Sequence, residues 1–183
     1  NPYPLLRIVA RAPSTSASLG RLDVVVPVAA ETDCRTCHRT GGIAANKTNI
    51  NWSSDANIEV QSKTNILRLH DANRNINLEA QKPVLCAQCH YSRALDLSGK
   101  GVSGDQVGRP YFSRAMHKFH GNLKINGVPV FPPTAPVEQT CYQCHPGKKT
   151  QCLRDTMRTG GILCKNCHGD MLAVGGAYKL LPG

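Results

Sequence analysis

The chain has 183 residues, with 22 Lys and Arg against 12 Asp and Glu and a formal net charge of +10. No apolar run is long enough to span a bilayer as a helix, and scattered apolar segments with 19% charged residues exclude full disorder. Aromatic residues make up only 5% of the chain, beside nine Cys and twelve Pro, so aromatic side chains do not supply a core of the usual kind. Charge alone points to nucleic acid, acidic lipid or an acidic protein as partner.

Residues 1–30 differ from the rest. LLRIVARA (5–12) and RLDVVVPVA (21–29) are rich in β-formers and are joined by PSTSASLG (13–20). This predicts a β-hairpin or arm with a Ser/Gly-rich loop, marginal by itself in water. Residues 31–183 form the remaining domain. Residues 39–85 are polar and Asn-rich with little periodicity. Asn46-Lys47-Thr48 and Asn51-Trp52-Ser53 match the glycosylation tripeptide, which arises often by composition in such a stretch. Gly99, Gly101, Gly104 and Gly108 mark 91–113 as loop, and Pro129, Pro132, Pro133 and Pro136 mark 121–140 as another. SRAMHKFHGN reads as a short helix stopped by Gly121. Helices are expected to be short, around 114–120 and beside the cysteine motifs.

Eight of the nine Cys fall into four Cys-x-x-Cys pairs, each followed at once by His. They are Cys34/Cys37/His38, Cys86/Cys89/His90, Cys141/Cys144/His145 and Cys164/Cys167/His168. Cys-x-x-Cys-His is the attachment signature of c-type haem. Two thiols about one helical turn apart add to the two vinyl groups of one porphyrin, and the adjacent imidazole binds iron from the proximal side. Zinc sites also use Cys-x-x-Cys, and disulfide frameworks use paired Cys, but neither requires His after every second Cys. His is only 7 of 183 residues, so chance does not account for its place after all four pairs. The expected cofactors are four covalently attached haem c groups. The motif spacings are irregular, so there is no sequence repeat.

The motifs resemble those of multihaem c-type cytochromes. VVVPVAAETDCRTCH, AMHKFHG, and CHPGKKTQCLRDTM followed by CKNCHG resemble large bacterial surface or extracellular members of that group. The number of motifs is similar to that of the tetrahaem subunits of extracellular cytochrome filaments. The resemblance implies electron transport rather than catalysis, outside the cell or at its surface, after export and removal of a signal peptide. A periplasmic location is the alternative. The resemblance also implies head-to-tail self-association and contact with other redox proteins or extracellular acceptors.

About 46 residues per haem is less than a chain normally needs to hold a core unaided. The expected fold is therefore mostly irregular coil with short α-helices wrapped around four haems, plus the N-terminal hairpin and little other sheet. A bis-imidazole haem carries about −1 when ferric and about −2 when ferrous. The loaded protein is then about +6 oxidised and about +2 reduced. Much of the basic excess reads as partners for haem propionates, and nucleic acid recedes as a partner.

Four motif histidines leave His70, His117 and His120 as distal ligands, one short of four. His70 lies in NILRLHDANRN. His117 and His120 are three apart on one predicted helical face and are expected to cap two different, neighbouring haems. Met116, Met157 and Met171 are the thioether candidates for the remaining iron, with Met157 preferred because it lies between the third and fourth motifs. The unpaired Cys152 is either buried and inert, an intermolecular disulfide partner, or a ligand. A soluble electron shuttle is the nearest alternative to a filament subunit. A nitrite or hydroxylamine enzyme requires an open iron and a substrate pocket, and a binding module for acidic partners rests on charge alone.

Overall fold

A computed structural model describes residues 5–25, 32–96, 99–145 and 160–176. The chain is a mixture of helix and coil with two small two-stranded sheets. The N-terminal hairpin pairs β1 (Leu5–Arg11) with β2 (Ser18–Val25) in antiparallel register, Leu5 opposite Val25 and Ala10 opposite Gly20. The second strand thus begins three residues earlier than the sequence reading put it. Ser18 and Gly20 pair with Arg11 and Ala10 rather than loop, and Leu19 between them is the extra residue of a bulge. The turn is closed by Ser16 N–H to Ala12 O and Ala12 N–H to Ala17 O, both 2.9 Å. Ile8, Val9 and Leu19 stand exposed on it.

After α1 (Arg35–His38) comes α2 (Ile58–Arg74), 17 residues long. It corrects the expectation that the Asn-rich stretch 39–85 lacks a substantial helix. Its apolar pattern is weak because its fixed points are polar. Asn57 caps the N-terminus by accepting from Glu59 N–H and Val60 N–H, and Asn75 ends it in the left-handed region at φ 52°. Arg68 forms a two-pronged bond with Glu79 at 2.7 and 2.9 Å. Asp71 accepts from Leu78 N–H and Glu79 N–H, locking the turn that follows.

Asn65 joins α2 to the first motif. It is 0% exposed. Its amide donates to His38 O (2.9 Å) and Thr40 Oγ1 (3.0 Å), and its oxygen accepts from Ser53 N–H (2.8 Å).

The helix α3 (Phe112–Gly121) confirms the element expected around 114–120. Behind it lies a short hairpin, β3 (Lys124–Ile125) and β4 (Val128–Pro129), inside a stretch read as loop. Asn126 (φ 51°) and Gly127 (φ 80°) form its turn, the Asn-Gly pair that suits two positive φ values. Finally α4 (Cys164–His168) leads into α5 (Met171–Gly176). The helix α5 packs on α3, where a Cβ on Gly175 would lie 2.7 Å from the Lys118 backbone nitrogen; only glycine allows that approach.

Among the described residues the buried apolar side chains are Ala45, Phe131 and Val137, against buried Ser53, Ser62, Thr64, Asn65 and Thr140. The protein interior is thus held together by hydrogen bonds more than by apolar contact. Asn65→Ala leaves the carbonyl of His38, the hydroxyl of Thr40 and the N–H of Ser53 without their partner and is expected to lower unfolding free energy by about 1–3 kcal/mol. Urea denaturation at unchanged slope measures this; a midpoint within error of the parent refutes the role given to Asn65.

Candidate functional site

Each Cys-x-x-Cys-His segment folds as one tight turn. The histidine N–H donates to the carbonyl of the first cysteine in motif 1 (His38 to Cys34, 2.9 Å), motif 2 (His90 to Cys86, 2.8 Å) and motif 3 (His145 to Cys141, 2.9 Å). Motif 4 lies wholly within α4. Two thiols and an imidazole therefore emerge from one turn, as joint attachment to a single ring requires.

The residues that hold these turns were not singled out from sequence. Gln88 and Asn166, each just before the second cysteine, accept from Leu85 N–H (3.2 Å) and Leu163 N–H (2.7 Å). Gln143, in the same place in motif 3, donates to Glu138 O. In motif 1 Thr36 stands there, and Asp33 does the work by accepting from Arg35 N–H and pairing with its guanidinium. A recurring side-chain amide before the second cysteine was the available signal.

The three spare histidines are each brought to a different motif. His120 lies beside His38, ring centroids 6.4 Å apart at 79°. His117 lies beside His145, 6.0 Å apart at 13°. His70, near the end of α2, lies within electrostatic reach of His90. Metal–nitrogen bonds of about 2.0 Å put the centroids of two imidazoles on opposite sides of one metal about 6.3 Å apart. Rotation about the nitrogen–metal–nitrogen axis leaves the angle between the rings free, so 13° and 79° both fit. His168 is exposed, and no described ring is paired with it. Met157 and Cys152 lie outside the described residues. Met116 and Met171 are half-buried on α3 and α5.

The ring nitrogens suit metal binding. Nδ1 of His90 faces Pro110 O, that of His117 faces Ser113 O and that of His120 faces Met116 O, each at 2.8 Å. A carbonyl only accepts, so each Nδ1 carries the proton and Nε2 keeps its lone pair for a metal. Nδ1 of His38 and of His70 is buried with no hydrogen-bond partner. Among the described residues no three His, Cys, Asp or Glu side chains converge as a metal cluster, whereas tetrahedral zinc takes four donors.

Among the described residues the eight motif cysteines form no disulfide. Burial pushes Cys34 and Cys37 up, and burial with the nearby Cys34 and Cys37 pushes Cys144 up to about 11. Redox-active Cys-x-x-Cys pairs shift the other way. Beside the motifs, apolar side chains face outward, among them Leu85 (66% exposed), Ile43, Ile162 and Leu163. A flat apolar ring held at the motifs would cover such a surface. Donor set, ring spacing and apolar surround all fit haem.

Burial, with His120 alongside, pushes His38 down from 6.5 to about 4. Burial likewise lowers His70, next to His90, and His117, next to His145. These imidazoles are neutral in the fold, so the contribution of His38 to stability is full above pH 6.5 and is lost as the pH falls toward 4, and His70 and His117 act in the same direction. Glu79, held below its ordinary 4.5 by Arg68, acts only at lower pH. The denaturant midpoint is therefore expected to fall between pH 7 and pH 5. A flat midpoint across that interval contradicts the burial of these rings.

No protein-family model, no curated protein and no solved structure matches this chain.

Proposed function

We propose that the chain is an electron-transfer tetrahaem c-type cytochrome, and that it works as a subunit of an extracellular filament carrying respiratory electrons. One observation carries the cytochrome reading: His120 and His117 lie ring to ring with two different motif histidines, and His70 lies within electrostatic reach of a third. In this reading three haems have distal ligands without any histidine serving two. In this reading His38 and His120 hold the first haem, His90 and His70 the second, and His145 and His117 the third. His168 holds the fourth, with Met157 as its proposed partner. The thiols of Cys34, Cys37, Cys86, Cys89, Cys141, Cys144, Cys164 and Cys167 form the thioether links.

Bound haems supply one-electron redox chemistry, the iron passing between ferric and ferrous states. The residues of the chain attach, orient and tune them. The carbonyls of Pro110, Ser113 and Met116 keep the proton on Nδ1 and orient the rings.

The filament reading is supported by the exposed hairpin, whose strands offer backbone donors and acceptors to a neighbour, and by the scarcity of core. A head-to-tail contact that does not close makes a fibre. The exposed His168 favours a second reading, an open fourth iron able to take a small ligand.

Denaturing mass spectrometry is expected to find the chain heavier by four haems, about 2.5 kDa at about 616 Da each; three or fewer refute the proposal. Carbon monoxide is expected to leave the reduced spectrum unchanged if Met157 closes the fourth site, and to shift about a quarter of the haem absorption if that site is open. Removal of residues 1–30 is expected to keep haem content and abolish polymers. A full-length protein that sediments as a monomer at high concentration sinks the filament and leaves a soluble periplasmic shuttle.

A further inference from the structure

We infer that the electron path departs from sequence order: the haems of motifs 1 and 3 adjoin, and the motif 2 haem joins the path through motif 1. The inference rests on the four-haem reading. Its first support is a backbone contact. Asp33, immediately before Cys34, donates its N–H to the carbonyl of Cys144 at 2.7 Å, so the turns of motifs 1 and 3 touch although motif 2 lies between them in the chain. The second is α3. His117 and His120 are one turn apart on one face, and they stand beside His145 and His38. One rigid turn therefore carries the distal ligands of both groups and sets their separation.

Motif 2 reaches motif 1 through α2. Asn65 is bonded to the carbonyl of His38 at 2.9 Å. His70, five residues on and about 7.5 Å further along the axis, lies within electrostatic reach of His90. The first turn of α3 does lie against motif 2, through Phe112 N–H to Tyr91 O. Its histidines, one to two turns later, stand beside the other two motifs. Motif 1 is thus the junction, gripped by α2 on behalf of motif 2 and by α3 on behalf of motif 3.

The test uses the haem-loaded protein and reads the midpoint of each haem in a stepwise redox titration, resolved by the NMR signals of the haem methyls. Replacing a distal His by Met raises the potential of that haem. The haem then reduces first, and its added negative charge lowers the midpoints of its neighbours, more strongly the nearer they are. His120→Met is expected to lower the midpoints of both the motif 2 and the motif 3 haems. His70→Met is expected to lower that of motif 1 and barely move that of motif 3. His117→Met is expected to lower that of motif 1 and barely move that of motif 2. A His120→Met variant that leaves the motif 3 haem unmoved overturns the order, as does a His70→Met variant that moves motifs 1 and 3 equally. Where a variant does not load haem, the same titration of the unsubstituted protein gives the pairwise interactions. The 1–2 and 1–3 pairs must then exceed the 2–3 pair. A mass short of four haems defeats the cytochrome reading itself and is seen before any titration.

Discussion

Ala45, Phe131 and Val137 are the apolar side chains shielded from water among the described residues, and three side chains are too few to hold a domain of this size by apolar contact. The rest of the structure answers that shortage. Polar side chains take fixed positions where a larger core would use leucine: Asn65 between α2 and motif 1, Arg68 on Glu79, Asp71 on the turn after α2. Each bond is worth little alone, but leaving one partner unmet in a buried place costs more than the bond contributes. The scaffold is therefore specific without being thick. A thin, specific scaffold suits a protein whose proposed interior is made of flat apolar cofactors.

The same economy governs the motif turns. A four- or five-residue turn has no independent stability, so each is pinned by a side-chain hydrogen bond. Gln88, Gln143 and Asn166 pin three of them by a side-chain amide, and Asp33 pins the first. α3 then sets two histidines against two of the turns, while Lys118 and Gly121, next to them on the helix, meet α5 at Gly175 and Leu172. Position, rather than bulk, is what these elements contribute. Under the proposed function, position is also what electron transfer demands, since no substrate has to be bound or turned over.

Hydrogen bonding at Nδ1 differs among the histidines: His90, His117 and His120 face carbonyls, while Nδ1 of His38 and of His70 is buried without a partner. A ligand whose outer nitrogen donates to a carbonyl is the more basic one. In the proposed cytochrome the first and second haems each have one such ligand and one without. That arrangement tunes iron through its surroundings while leaving the ligand type the same.

The sequence by itself determined the four motifs on which the proposed chemistry rests. Cys-x-x-Cys-His is a local pattern, closed by one backbone bond within five residues, so it is legible without knowledge of the fold. The count of seven histidines, the division of His117 from His120 and the N-terminal hairpin were legible for the same reason, since all rest on short-range spacing. The long α2 was not, because its fixed points are polar and leave almost no apolar period to read. The turn at Asn126-Gly127 carried a readable signal that the surrounding prolines obscured. Only the tertiary structure decided which histidine goes to which motif. His70 and His90 are twenty residues apart, whereas His120 and His38 meet from distant parts of the chain. Such meetings depend on how α2 and α3 pack, and on the single backbone bond from Asp33 to Cys144. Spacing along a chain carries no record of contacts made across it.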